Sequence, residues 1–331
     1  MRWGLVGASD IAARRMIPAM RRLGHQPVVV HSGDRARAER FAATHGIAVA
    51  TTDLATATDG VDAVYISTTN DRHAPFAAAV IDAGVPVLCE KPLALTANEA
   101  FALAAHAAGA GVVLATNHHL RHSPVFRTLA ALVARGELGD IAAVRISTAG
   151  RLRPELARWR TAAEERGGGV LYDILVHDVD TLRVVTGCEV TAVSCTGIAD
   201  PAGGAVTTAL TTLELTGGAL AQTFDGWTIP HNVSSFEVHG SAASVFARNA
   251  LTQEPVGTVV LRSDGAERPV ELPDADDLYE RAVAAFAAAV RGEPSPVATA
   301  LDGAIAAAVA AAARESMATG RRVPVAGVPV P

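Results

Sequence analysis

Short, unbroken apolar runs alternate with helix-forming stretches from the N-terminus to about residue 120, and no other feature of this chain narrows its fold as far. The runs are Trp3-Gly4-Leu5-Val6, Val28-Val29-Val30, Ala63-Val64-Tyr65-Ile66, Val85-Pro86-Val87-Leu88-Cys89 and Val112-Val113-Leu114-Ala115. Between them the pattern predicts helices over about 11–23, 35–45, 74–83 and 97–108, the last opened by the capping-box spacing of Thr96 and Glu99. A strand that is apolar at every position is covered on both faces, and an intervening helix returns the chain to start a parallel neighbour. Residues 1–120 therefore read as a dinucleotide-binding, doubly wound α/β domain of the Rossmann type.

After residue 120 strands follow one another directly. Segments 141–147, 190–196, 206–215, 219–224, 235–239, 244–248 and 259–262 have strand character, with hairpin turns at Thr216-Gly217-Gly218 and Asp264-Gly265. Residues 121–331 thus read as a substrate-binding α+β domain with a large, mostly antiparallel open sheet. Two alanine-rich helices, about 276–291 and 300–319, close it, parted by the breakers Gly292-Glu293-Pro294-Ser295-Pro296.

Composition excludes several classes of function. With 331 residues, 50% hydrophobic and 19% charged, the chain can bury a core in each domain and is too apolar for a disordered one. A net charge of −6 gives no attraction for nucleic acid or an anionic membrane, so a small molecule is the expected partner. There is no apolar run of roughly 18 residues and no basic leader before an apolar stretch, which predicts a cytoplasmic protein. Cys89, Cys188 and Cys195 are odd in number and lack C-x-x-C spacing, which fits a reducing compartment.

Gly7-Ala8-Ser9-Asp10-Ile11-Ala12 stands where a G-x-G-x-x-G/A phosphate-binding turn belongs, after the first strand and at the opening of the first helix. Ser9 replaces the second glycine, and Ala12 keeps the small third residue that helix-on-strand packing requires. The end of the second strand decides which dinucleotide fits. An acidic side chain there accepts from the ribose hydroxyl of NAD, whereas small or hydroxylated residues with arginine nearby admit the 2′-phosphate of NADP. In Ser32-Gly33-Asp34-Arg35-Ala36-Arg37 the deciding position reads as Gly33, with Arg35 and Arg37 close by. NADP(H) is favoured and NAD(H) stays open, because Asp34 is either a ribose ligand or the N-cap of the next helix.

Glu90-Lys91-Pro92 lies at the carboxyl end of the fifth strand, the edge where open α/β sheets hold their ligands. Much later, Gly167-Gly168-Gly169 leads into a helix on which Asp173 and His177 have i,i+4 spacing, so that a carboxylate and an imidazole share one face. No metal is expected. Asp178 and Asp180 would allow one beside His177, but no second ligand cluster accompanies them, and adjacent His118 and His119 would point to opposite faces of a strand. Asn117, at the end of the sixth strand, is a candidate for the nicotinamide side, and His73 is either a cofactor contact or a polar residue at a helix start.

The Gly7-Ala8-Ser9 turn, Glu90-Lys91-Pro92, Thr68-Thr69-Asn70 and the G-G-G-x-x-x-D-x-x-x-H pattern together resemble the glucose-fructose oxidoreductase and inositol dehydrogenase (Gfo/Idh/MocA) family over the whole chain. Stretches 3–9, 67–70, 116–121, 236–240 and 252–259 are similar, more narrowly, to its NADPH-dependent sugar-ketone reductases. The resemblance implies hydride transfer between a nicotinamide and a sugar-like substrate, with Lys91, Asp173 and His177 catalytic, His177 exchanging the proton, and a cis bond before Pro92. It implies cofactor contacts from Gly7, Ala8, Ser9, Asp10, Ile11, Ser32, Gly33, Asp34, Arg35, Arg37, Thr68, Thr69, Asn70, His73, Glu90, Lys91 and Asn117. Trp159, Arg160 and Tyr279 resemble further residues near the cofactor. Gly33-Asp34 departs from the serine-threonine pair of the narrower group. An NAD(P)-dependent dehydrogenase of another sugar, a cyclitol or a tailoring-pathway intermediate, working in the oxidative direction, and a non-catalytic NADP-binding regulator are the competing expectations; retention of Lys91, Asp173 and His177 counts against the regulator. The exposed face of the antiparallel sheet is the expected surface for any homo-oligomer.

Overall fold

The computed structural model describes residues 1–162, 164–200 and 204–327, which form two compact units. The first comprises Met1–Ala94, Asn98–His118 and Tyr279–Ala304, and the second Leu95–Ala97, His119–Leu278 and Ile305–Pro331. A single cut near residue 120 does not describe this division, because a segment close to the C-terminus rejoins the first unit.

In the first unit six parallel strands run in the order β3-β2-β1-β4-β5-β6: β1 (Arg2–Val6), β2 (Gln26–His31), β3 (Val49–Thr51), β4 (Ala63–Ile66), β5 (Val87–Cys89) and β6 (Leu114–Thr116). The order reverses between β1 and β4, so the turns after these two strands flank the crevice that such sheets use for a dinucleotide. Beside β6, Thr116 N–H donates to the Ala298 carbonyl at 2.9 Å, and Ala115 bridges to Thr299. Gly303 allows this approach, since a Cβ there would meet Thr116 Oγ1 at 2.0 Å.

The helix expected over 11–23 is instead a π-helical turn, Ala12–Met16, followed by α1 (Ile17–Arg22). Pro18 explains the difference. It has no N–H for a bond one turn back and its ring needs room there, which a wider turn supplies. The other helices of this unit are α2 (Arg35–His45), α3 (Leu54–Thr58), α4 (His73–Asp82) and α5 (Ala97–Ala110). Sequence reasoning missed β3 and α3, both short; α3 is set by Asp53, whose carboxylate accepts from the Ala55 and Thr56 N–H groups.

The second unit is built on nine strands in the order β14-β13-β12-β11-β7-β10-β9-β8-β15. They are β7 (Ile141–Ala149), β8 (Val190–Ala199), β9 (Val206–Leu215), β10 (Leu220–Gly226), β11 (Ser235–Gly240), β12 (Ser244–Arg248), β13 (Thr258–Ser263), β14 (Ala266–Val270) and β15 (Val323–Pro324). Every pairing is antiparallel except β7 with β10, so the expected sheet is present in mixed form. Along β7 and β10, residues 144, 146, 221, 223 and 225 are buried while 145, 220 and 222 are exposed. The buried face carries α6 (Pro124–Ala134), through the Phe126–Phe236 ring contact, and α8 (Val176–Thr186). α7 (Pro154–Ala162) lies between β7 and α8 in sequence; α9 (Leu278–Val290) and α10 (Ala300–Thr319) follow the sheet. Among the described residues, no helix is long and apolar enough to cross a membrane.

Candidate active site

The turn after β1 is defined by a steric demand. Gly7 has φ +116°, and a Cβ there would lie 2.7 Å from the Ser67 carbonyl oxygen, so the turns after β1 and β4 touch backbone to backbone. Ser9 does more than replace glycine: its hydroxyl accepts from Ala12 N–H at 3.1 Å and bonds the Ser67 hydroxyl at 2.7 Å. Ser67 opens the 67–70 stretch that carries the resemblance, but the sequence assigned it no role of its own.

At the end of β2, one of the two open readings for Asp34 is realised as local structure. Its carboxylate caps α2, accepting from Arg37 N–H at 3.0 Å. Arg37 folds back so that Nε and Nη2 donate to the Ala8 carbonyl at 3.2 and 2.6 Å, and Arg35 reaches the Ala50 carbonyl at 3.5 Å. Gly33 is exposed, with nothing within 4 Å of a Cβ built on it. This edge therefore combines a gap at residue 33, an acid already used as a cap, and two guanidinium groups.

Glu90 is buried at the end of β5, and two side-chain donors meet its Oε1: Tyr65 OH at 2.6 Å and Asn117 Nδ2 at 2.6 Å. Burial pushes the Glu90 carboxyl above its usual range, while Tyr65, Asn117 and the neighbouring Lys91 charge pull it back. Sequence reasoning missed Tyr65, although a tyrosine in a strand covered on both faces has to bring its hydroxyl to a partner. Asn117 Oδ1 is buried and without a hydrogen-bond partner among the described residues, an acceptor left over while Nδ2 donates to Glu90. The Lys91–Pro92 peptide is cis. His73 Nδ1 lies 2.8 Å from the Pro92 carbonyl and Nε2 3.3 Å from that of Thr68, and burial lowers this imidazole to about pH 4. It is therefore neutral, with Nδ1–H donating to Pro92, and it ties the segments that follow β4 and β5. Tyr279 is buried near the start of α9, with the Arg15 guanidinium 5.8 Å from its ring centre.

In the second unit Gly169, at φ +100°, lets the chain pass β9, since a Cβ would meet Val206 N at 3.0 Å. Its N–H donates to the Arg160 carbonyl at 2.9 Å and its carbonyl accepts from Asp173 N–H at 3.1 Å. Asp173 Oδ2 stands 3.8 Å from Arg160 Nε, and that guanidinium lies 4.9 Å from the Trp159 ring centre. The Trp159–Arg160 pair and Asp173, placed apart in the sequence reading, thus form one acidic–cationic–aromatic group. The regular helical face expected for Asp173 and His177 is modified: Leu171–Leu175 is a π-helical turn, and His177 lies in the first turn of α8 beyond it. Such widened turns store local strain and recur at functional positions. His177 packs edge-on against His119, with ring centres 4.9 Å apart. Asp180, considered above as a metal ligand, is 1% exposed and forms an ion pair with Arg121, whose Nε donates to Oδ2 at 3.1 Å.

Comparison with known proteins agrees with these two halves. Residues 1–118 match a family profile described as "Oxidoreductase family, NAD-binding Rossmann fold", and residues 126–246 match the GFO/IDH/MocA C-terminal domain. The chain belongs to the Gfo/Idh/MocA family of oxidoreductases. It is 41% identical over 332 aligned residues to a 1,5-anhydro-D-fructose reductase of Ensifer adhaerens, covering 97% of each chain. It is 31% identical to a D-xylose 1-dehydrogenase (NADP(+)) of Haloferax volcanii, covering 89% of this chain and 91% of the other. Among solved structures it resembles KijD10, a 3-ketoreductase of Actinomadura kijaniata in complex with NADP and TDP-benzene, with TM-score 0.84, 26% identity and coverage of 96% and 97%.

Proposed function

We propose that this chain is an NADPH-dependent sugar-ketone reductase that converts 1,5-anhydro-D-fructose to 1,5-anhydro-D-mannitol. The observation that carries the reading is the 41% identity, end to end, with the E. adhaerens reductase. The residues at hand fit a nicotinamide dinucleotide. The turn at Gly7 has no room for a side chain, as close backbone approach to a pyrophosphate requires, and the orphaned Asn117 Oδ1 is an acceptor suited to a carboxamide N–H. NADP(H) is favoured over NAD(H): Gly33 offers the ribose no acceptor, Asp34 is spent on the helix cap, and Arg35 and Arg37 supply positive charge for a 2′-phosphate.

When bound, the dinucleotide supplies the hydride. Reduction of a ketone builds negative charge on its oxygen, and the protein has to neutralise it. His177 is the proton donor, since an imidazole ordinarily titrates near 6.5 and can give up a proton at neutral pH. Lys91 polarises the ketone oxygen as a fixed positive charge. Asp173, held against Arg160, orients the sugar hydroxyls. Glu90, with Tyr65 and Asn117, holds the backbone from which Lys91 projects. On this reading the enzyme is cytoplasmic, its partner is a small sugar, and neither nucleic acid nor membrane is involved. The open sheet face, where Ile198, Leu210 and Leu220 are 66%, 50% and 52% exposed, serves as the contact in a homo-oligomer.

The identity with the D-xylose dehydrogenase supports a second reading, oxidation of another sugar. A nicotinamide-absorbance assay of NADPH, NADH and their oxidised forms against keto sugars, aldoses and cyclitols separates the two. The first reading requires fastest turnover with NADPH and 1,5-anhydro-D-fructose, with mannitol configuration in the product.

A further inference from the structure

On the buried face of the nine-stranded sheet two carboxyl groups meet. Asp225 of β10 is in register with Thr148 of β7, so both side chains rise from the same face, under α8. Asp178 comes down from α8, one residue after His177, and Asp178 and Asp225 are both 0% exposed. Thr148 Oγ1 donates to Asp178 Oδ1 at 2.8 Å, and Thr223 Oγ1 donates to Asp225 Oδ2 at 2.9 Å. The other oxygen of each, Asp178 Oδ2 and Asp225 Oδ1, is buried with no donor to it among the described residues, and the two carboxyls lie within hydrogen-bonding reach of each other. Two carboxylate oxygens can close on one another only around a hydrogen, and two negative charges so placed in an apolar layer cannot both persist.

We propose that Asp178 and Asp225 share a single proton at neutral pH, and that this pair is a positioning device for His177, whose turn of α8 it fastens to the sheet. Loss of the proton at alkaline pH turns attraction into repulsion and releases that turn. Thr181 couples the groups further, its hydroxyl lying 3.0 Å from the His177 carbonyl and 3.1 Å from that of Asp178. Burial, reinforced by Asp225, drives Asp178 well above the usual carboxylate range, and burial raises Asp225 to about 6. Cys195 of β8, bonded by Thr211, senses Asp225 across the buried face. The elements packed on α8 add His119, Arg121 and His122 from the turn at 119–122, Arg127 from α6, and Tyr172 and Asp173 from the π turn, with Arg121 engaged by Asp180. On α8 itself Arg183 pairs with Glu189, and Arg145 of β7 is on the opposite face of the sheet.

The inference rests on the assignment of His177 as proton donor, but its first test does not. Infrared titration of the whole wild-type protein should show a protonated carboxyl stretch at neutral pH that fades as the pH rises. The band should be absent from the double variant Asp178→Asn/Asp225→Asn, in which two amides bond reciprocally without a shared proton. Because folding retains this proton, the stabilisation is complete below about pH 4, where the unfolded carboxyls are also protonated, and it is lost as the pH rises through the pair's own range. The lowered histidines, His73 above all, push stability the other way over about pH 4 to 6.5, so the readout is the difference in unfolding free energy between the wild type and the double variant, which should shrink as the pH rises through the pair's range; a difference that does not change with pH counts against the shared proton. NMR titration of the His177 imidazole should show, besides its own inflection, a second one that follows the pair and vanishes in the double variant. Absence of the infrared band overturns proton sharing. A band without the second inflection overturns the positioning role. If both are present while His177→Ala leaves turnover intact, the pair stands and the proton-donor reading fails.

Discussion

Each unit buries a carboxyl group beside a residue proposed to do chemistry, and the two solve the same problem differently. Glu90, next to Lys91, is met by two neutral donors, the Tyr65 hydroxyl and the Asn117 amide, and by the lysine charge. Asp178, next to His177, is met by a threonine and by a second acid. Both carboxyls are pushed upward by burial, but only the second site meets a like group, and only there is the push large. Neutral donors oppose the rise that burial causes, whereas a second acid adds to it and makes the arrangement depend on a proton. The first suits the polarising role proposed for Lys91, and the second sits beside the residue proposed to exchange protons.

Substitutions should separate these two designs, and the largest effect should fall on the groups that touch substrate. His177→Ala should lower kcat by roughly 10²- to 10⁴-fold with little change in cofactor affinity, the usual scale for a lost general acid, while Lys91→Ala should lower kcat and also raise KM. Near-normal turnover in His177→Ala beside an inactive Lys91→Met would make lysine the acid and reverse the contrast. Smaller effects should come from the supports. Tyr65→Phe removes one donor from a buried carboxyl and should cost about 1–3 kcal/mol of stability by denaturant unfolding. Glu90 would then keep the Asn117 amide but lose its tyrosine donor, so kcat should fall as well as stability; unchanged kinetics would reduce the Glu90 network to packing. The mildest change is Gly33→Asp, for which the structure has open space. It should shift the ratio of kcat/KM for NADPH over NADH toward NADH by about tenfold or more, the worth of one charge-assisted hydrogen bond, without altering sugar KM.

The two regions also differed in how far the sequence could be read. β1, β2, β4, β5 and β6 are buried on both faces, so each is a continuous apolar run, and the turn at Gly7 follows from strand and helix order alone. The open sheet was legible through alternation, yet β14 and β15 were not, being mostly exposed or only two residues long. Lys91, Asp173 and His177 could be put forward from the sequence because they sit in local motifs. Tyr65, Ser67 and Asp225 could not, because their meaning lies in a partner from another element, and single-strand patterns carry no information on register. The π turns at 12–16 and 171–175 escaped for a related reason: one extra residue per turn leaves an apolar pattern almost unchanged, and only Pro18 hinted at the first. Asp34 shows the converse, since its alternatives were visible in sequence and the cap geometry shows which of them forms.

The most direct test of the central claim uses NADPH deuterated at the nicotinamide C4 position that is transferred, with 1,5-anhydro-D-fructose as acceptor and mass spectrometry and NMR of the sugar product. The account predicts 1,5-anhydro-D-mannitol carrying a single deuterium at C2, formed faster than with equally labelled NADH. Absence of product, deuterium at another carbon, or faster transfer from NADH would contradict it.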